Sequence, residues 1–223
     1  MRANQMVMRV ASHFLQAETG DLRHSSFLEH TLQKPARALA GILALLLALS
    51  FLGGQAEAGE SDYQRSIVNY QIPDVVLVNQ NGEKVRLNNF LTSDKPVVVD
   101  FIFCTCTTIC PFLSSSFISL QHRLGKDYGK VRLVSISIDP EHDTPKLIKE
   151  YMKRFGGKPG WDYLTGSRKD IDSVMRAFDA YVSDKMSHKL LTLIRSPRDG
   201  KWTRITGTMS TSEFMSECRK AGL

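Results

Sequence analysis

The 223-residue chain predicts an α/β domain with a mixed central sheet flanked by helices and entered through an N-terminal hairpin. Three observations predict it. Two runs, Pro96–Phe103 and Val131–Ile138, are near-continuously apolar rather than alternating, the pattern of strands buried on both faces. Each is followed by a segment with helical signals. Short strand-like runs also flank the turn sequences Asn81-Gly82 and Pro197–Gly200, which implies antiparallel neighbours.

In chain order, Gly59–Gln71 is polar and is expected to link the N-terminal segment to the domain, which spans 72–223. Val75–Val78 and Val85–Leu87 form the first hairpin around Asn81-Gly82. Pro96–Phe103 is the first buried strand. Leu113, Phe117, Leu120 and Leu124 recur at helical spacing, with Gly125 placed to stop that helix. Val131–Ile138 is the second buried strand. Thr144-Pro145 opens a helix with proline at its first position, and Gly156-Gly157 closes it. Asp170–Tyr181 is expected to be helical. Leu190–Arg195 and Trp202–Thr206 form a closing hairpin, and Thr211–Arg219 a final helix capped by Thr211. The sequence gives no sign of internal repeats, low complexity or a second domain.

Residues 1–58 read as an address. Ala38–Ala56 carries no charge, Lys34 and Arg37 precede it, and Ala56-Glu57-Ala58 supplies a small-x-small exit. A membrane span needs roughly 20 apolar residues, and this run is slightly short. Cleavage after Ala58 is therefore expected in preference to an uncleaved anchor. Either way the domain is expected in the periplasm, exported or held at the inner membrane. Upstream, Glu18, Asp21 and Glu29 mingle with Arg2, Arg9 and Arg23, which argues against a mitochondrial transit peptide. No function is assigned to that stretch.

Beyond residue 58 the chain keeps 24 basic and 19 acidic side chains. The surplus is scattered, the mark of a solvated basic surface and not of nucleic-acid binding, although it favours an acidic partner face through steering. All four cysteines lie in this part, and outside the cytoplasm such thiols tend to oxidise.

The chemistry concentrates in Phe103-Cys104-Thr105-Cys106-Thr107-Thr108-Ile109-Cys110-Pro111. A strand, Cys-x-x-x-Cys-Pro and a helix present two thiols at a helix N-terminus, where the macrodipole favours thiolate. Thiolate attacks disulfides and also binds soft metals. Residues four apart on a helix hold their Cβ atoms about 5–6 Å apart. A modest adjustment allows a disulfide, with Cβ atoms about 3.8 Å apart, or two bonds of roughly 2.3 Å to one metal. The pair alone leaves redox and metal chemistry open, and a third ligand would decide. His122, near a helix end, and His142, between Glu141 and Asp143, have the character of surface and loop residues. His188 precedes a strand in the glycine-free loop Asp184–Lys189, where structural and ligand roles are both open.

The chain resembles the Sco family, also called SenC, thioredoxin-like copper chaperones for assembly of cytochrome c oxidase. The resemblance is carried by Phe101-Ile102-Phe103, Cys106-Thr107-Thr108-Ile109-Cys110-Pro111 and Ser135-Ile136-Ser137-Ile138-Asp139-Pro140-Glu141. Asp143-Thr144-Pro145, Trp161, Leu164-Thr165-Gly166 and a histidine just before Leu190–Arg195 continue it. It implies a thioredoxin-like fold with copper held by Cys106, Cys110 and His188. Two thiolates and an imidazole suit Cu(I) and tolerate Cu(II), whereas structural zinc usually takes four protein ligands. Asp139, after the second buried strand, is expected either to orient His188 or to serve as a loop or capping aspartate.

Two features depart from the family pattern. Cys104 stands where a hydroxyl residue is commoner and is expected to be a buried, inert thiol. Met186-Ser187 precedes His188 in place of Val-Asp, and Met186 offers a thioether in reserve. Cys218 has the character of a small apolar residue. The expected function is an exported copper chaperone delivering the ion to cytochrome c oxidase subunit II, with other copper chaperones and thiol–disulfide oxidoreductases as further partners. The alternative is a thiol–disulfide oxidoreductase, Cys106 attacking and Cys110 resolving, that keeps the oxidase copper-site cysteines reduced.

Overall fold

A computed structural model describes residues 62–223. Its eight strands are β1 (Tyr63–Val68), β2 (Val76–Asn79), β3 (Lys84–Arg86), β4 (Val97–Ile102), β5 (Arg132–Ser137), β6 (Trp161–Thr165), β7 (Leu191–Arg195) and β8 (Trp202–Gly207). The helices are α1 (Leu87–Leu91), α2 (Ile109–Leu124), α3 (Pro145–Phe155), α4 (Arg168–Ala177) and α5 (Thr211–Ala221). All strands join one mixed sheet in the order β1-β8-β7-β4-β5-β6-β2-β3. The expected α/β class, mixed sheet and N-terminal hairpin are present.

β4 is central, parallel to β5 and antiparallel to β7. All six of its residues are buried, as its apolar run requires. The exception in that run is Asp100, a fully buried carboxyl with neither oxygen hydrogen-bonded, whose pKa burial raises to about 7. Register decides where the loops fall. Val97 pairs with Arg132 and Ile102 with Ser137, so β4 and β5 end level with each other. Asp100 pairs with Thr192 on antiparallel β7, so the chain enters β7 where β4 leaves off. Three loops therefore meet at one sheet edge: those after β4, after β5 and before β7. This is where ligand sites form in open α/β sheets.

The helices take the caps their sequences offer. Thr144 accepts the Leu147 N–H, Pro145 opens α3, and Gly156 closes it at φ 71°. Gly125 ends α2 as expected. α2 packs on α3 through the buried Ser114–Tyr151 hydrogen bond of 2.8 Å, and on α5 through Phe117 and Phe214. Trp161 meets Phe117 edge-on and donates to the Ser135 hydroxyl at 3.0 Å.

The fold differs from the sequence reading in five places. Residues 59–71, expected as a linker, contain β1, which pairs with β8 from Tyr63↔Gly207 to Val68↔Trp202. β1 is polar and its middle four residues are exposed, so it carries no apolar pattern. It is held by its ladder and by Arg65, 2.8 Å from the buried Glu217 carboxylate. β6 and α1, five residues each, are too short to show a period. α4 begins at Arg168 after the Ser167 cap and ends at Ala177, before Asp179 takes φ 52°. The last helix is capped by Ser210, not Thr211, in a reciprocal box with Glu213. The signal-like segment lies outside the described residues, and no helix among the described residues is long and apolar enough to cross a membrane.

Candidate metal centre

The Cys104–Cys110 segment is shaped by the end of β4. The Phe103 carbonyl accepts the Cys106 N–H at 3.2 Å, turning the chain sharply, and the Phe103 N–H points at Cys110 Sγ, 3.5 Å away. Asp143, after β5, anchors the same turn. Its carboxylate accepts the Cys104 N–H at 3.2 and 3.3 Å, the Ser137 hydroxyl at 2.6 Å and the Tyr163 hydroxyl at 3.3 Å. One buried carboxylate thus joins the cysteine loop to β5 and β6. Burial raises the Asp143 pKa, and its Ser137 and Cys104 donors oppose that rise.

Helix α2 begins only at Ile109, so Cys106 and Cys110 are not successive turns of one helix. The loop brings them together instead, and no disulfide joins them. Their thiols differ. Burial acts to raise the Cys106 pKa, but hydrogen bonds with Thr108, 3.5 Å away at Oγ1, and with Cys110 outweigh it and hold the thiol below its ordinary range. Cys110 is fully buried in the first turn of α2, and burial together with neighbouring Cys106 drives its pKa strongly upward. A lowered thiol pKa is thus found at Cys106, where hydrogen bonds produce it ahead of the helix, and not at Cys110 inside the first turn, where burial dominates.

His188 follows a 3-10 turn over Lys185–Ser187. Its Nδ1 lies 2.6 Å from the Lys185 carbonyl. A carbonyl only accepts, so Nδ1 carries the proton and Nε2 presents its lone pair. That Nε2 is 3.3 Å from Cys110 Sγ. Burial lowers the His188 pKa, which keeps the ring neutral, the form that binds metals. Phe103 packs edge-on against the ring at 5.4 Å. The Lys185 ammonium reaches the Asp139 carboxylate at 2.5 Å and lies 5.2 Å from the centre of the Phe103 ring.

The ligand atoms of Cys106, Cys110 and His188 all lie within 4.8 Å of one another. A small inward movement of these side chains would let two sulfurs and one nitrogen share a soft metal ion. Other candidates fall elsewhere. Of the two roles open to Asp139, direct contact with His188 is absent: it binds His142 Nδ1 at 2.9 Å and Lys185 from the loop after β5. Cys104 is half-buried near the Tyr163 hydroxyl and not fully buried as expected, and burial raises its pKa to about 12, which disfavours the thiolate. Met186 is 60% exposed, and Cys218 is fully buried. The sequence reading missed Asp143, Lys185 and Phe103 as supports. Asp143 and Phe103 stand among the residues that carry the family resemblance, though with no role attached, and nothing local marks Lys185.

A dithiol and an imidazole gathered at one edge of a thioredoxin-like sheet define a protein of thiol and soft-metal chemistry. The SCO1/SenC family model matches residues 69–220, and the chain belongs to that family. It is 32% identical over 142 residues to the SCO1 protein homolog of Bacillus subtilis, covering 60% of this chain and 72% of that one. It is 31% identical over 149 residues to a SCO2-like protein of Rickettsia felis, covering 64% and 68%. Among solved structures it resembles BsSco, a member of the Sco family of cytochrome c oxidase assembly proteins in which a disulfide switch was identified. That match has 29% identity and TM-score 0.59, and covers 70% of this chain and 95% of that one. It also resembles Arabidopsis thaliana ScoI with copper bound, at 26% identity and TM-score 0.55, covering 66% and 94%.

Proposed function

We propose that this protein binds one copper ion through Cys106, Cys110 and His188 and serves cytochrome c oxidase assembly by passing the ion to the copper site of subunit II. The carrying observation is the cluster itself: two sulfurs and a lone-pair-bearing Nε2 within 4.8 Å. The donor set fits the ion, since thiolates select Cu(I) and imidazole suits copper in either state. Three protein ligands leave an open position through which the cargo exchanges, where a closed four-ligand site would retain it. The family membership and the copper-bound plant relative support this reading. The signal-like Ala38–Ala58 segment supports a periplasmic setting, with the domain exported or tethered at the inner membrane.

The test is copper stoichiometry and the visible spectrum of the reduced protein. One Cu(II) should produce a thiolate-to-copper band that Cys106→Ser and Cys110→Ser each abolish. A wild-type band in either variant would sink the assignment.

A second reading, thiol–disulfide exchange that keeps oxidase thiols reduced, draws on the unequal cysteines. Cys106 has its pKa lowered and suits attack, while Cys110 is buried beside it and suits resolution. Both tasks use the same pair, and reduced thiols are a condition for loading metal.

A further inference from the structure

The loop after β5 carries acids at alternate positions, Asp139, Glu141 and Asp143, and each holds a different part of the molecule. Asp143 accepts the Cys104 N–H and so fixes the cysteine loop. Asp139 accepts the Lys185 ammonium at 2.5 Å and so fixes the turn before His188. Both halves of the metal site therefore hang from one short loop, and the spacing of sulfur from nitrogen follows the position of that loop. The loop is folded on itself, the His142 and Asp143 N–H groups donating to the Asp139 carbonyl at 3.1 and 2.9 Å, so it behaves as one unit.

Arg168, the first residue of α4, grips this unit from outside. Its Nε donates to Glu141 Oε1 at 2.7 Å and one terminal nitrogen donates to the other Glu141 oxygen, a two-pronged pairing that suits the planar guanidinium. The other terminal nitrogen donates to the Ile138 carbonyl at 3.2 Å and meets Asp172 at 3.4 Å. The helix beneath is firmly seated, with Ser167 capping it and Ile171, Val174 and Met175 buried. Helix stability does not account for an arginine at this position, because the macrodipole disfavours a cation in the first turn. Nor does α4 pack closely on the segment that leads to His188: a cleft of about 400 Å³ lies between the helix and residues 182–185. Among the described residues, the one hydrogen bond from 182–187 to a residue outside the segment 182–188 is that of Lys185 with Asp139.

We propose that Arg168 is a positioning residue for the metal site. By clasping the loop after β5 at both Ile138 and Glu141, it sets the spacing between the cysteine loop and the His188 turn. The clasp acts through the loop, since Arg168 hydrogen-bonds none of the three ligand residues. The inference rests on the metal-binding reading above and adds a residue pair, Arg168 and Glu141, on which the three-ligand geometry depends.

The test uses the full chain and competition for Cu(I) against a chelator. Arg168→Ala should lower copper affinity by about tenfold, the lower end of the effect of residues that orient ligands from outside. An exposed ion pair contributes little to folding, so the unfolding midpoint should stay close to that of the wild type. Glu141→Ala should act in the same direction, and the double variant should lose no more than Arg168→Ala, since both work through one clasp. Arg86→Ala, which removes a comparably exposed pair with Asp74, should leave affinity unchanged. Unaltered affinity in Arg168→Ala, additive losses, an equal loss in Arg86→Ala, or a loss that only tracks a fallen midpoint would each overturn the clasp. If the protein holds no copper at all, the metal reading fails by itself. The clasp is then read in the metal-free protein from the nitrogen-15 NMR shifts of the His188 ring. The wild type should show the Nδ1-protonated form, and Arg168→Ala a mixture of the two tautomers. Unchanged shifts would end the positioning role.

Discussion

Asp139 stands one residue removed from His188: its carboxylate holds the Lys185 ammonium at 2.5 Å, and the carbonyl of that same lysine receives the His188 Nδ1 proton at 2.6 Å. The imidazole is therefore oriented by a backbone group that no side-chain substitution removes. Asp139 acts on it by fixing the turn that carries the carbonyl.

This relay ranks two variants. Asp139→Ala should weaken copper binding by about 10–100-fold, the usual effect of a residue that orients a ligand. His188→Ala, which deletes the ligand, should exceed that range while the fold survives. Competition titration against a copper chelator measures both. An equal or larger loss in Asp139→Ala would make Asp139 a ligand itself.

Copper affinity should rise with pH. The Cys110 thiol has its pKa pushed up by burial, so at neutral pH it is protonated and must release its proton to bind. Raising pH removes that competition, and apparent affinity should climb roughly tenfold per pH unit for each proton displaced. His188, whose pKa is lowered, adds no such dependence above its own titration range. Titrations across neutral to alkaline pH decide it, and a flat profile would contradict the Cys110 assignment.

Delivery and reduction part company at the imidazole. Cells carrying His188→Ala should lose oxidase activity and oxidase copper, while Cys106 and Cys110 still form and exchange a disulfide. Thiol exchange depends on thiolate fraction and access, not on a nitrogen ligand. Normal oxidase in that variant, with none in Cys106→Ser, would favour the reductase.

Stability has its own test at the β1–α5 contact. Burial alone would raise the Glu217 pKa, but Arg65 and Lys220 more than offset it and hold the pKa below its ordinary value. The resulting stabilisation is present above the usual glutamate range and is lost as pH falls through the lowered folded value. Arg65→Met should destabilise the protein by about 1.5–3 kcal/mol at neutral pH, the scale of a charged hydrogen bond. The difference from wild type should fade in acid, where Glu217 is protonated in both. Denaturant unfolding at two pH values checks it, and a pH-independent difference would mean that packing, not charge, holds β1.

The clustered cysteines and histidine were legible because they are rare residue types in a diagnostic order: two cysteines after a buried strand and a histidine before another. Central strands were legible for the same reason, since burial on both faces writes itself as unbroken apolar runs. What escaped depends on register. Asp143 becomes an anchor only when β4 and β5 end level, and Lys185 matters through a carbonyl whose position the sequence does not record. β1 escaped because a polar edge strand is specified by its partner β8 and not by its own side chains. Ser210 was readable, standing three before Glu213, yet Thr211 beside it offers an equally good capping hydroxyl. Asp100 was in plain view within an apolar run, and only three-dimensional burial distinguishes it from a surface acid.

The antiparallel entry of β7 beside β4 joins Cys110 to a histidine 78 positions later in the chain. A polypeptide emerging from its N-terminus thus presents both sulfurs long before the nitrogen, and the trio exists only once distant segments have closed the sheet. The complete cluster is withheld from the nascent and unfolded chain, and a molecule that loses β7 gives up the imidazole in the same event.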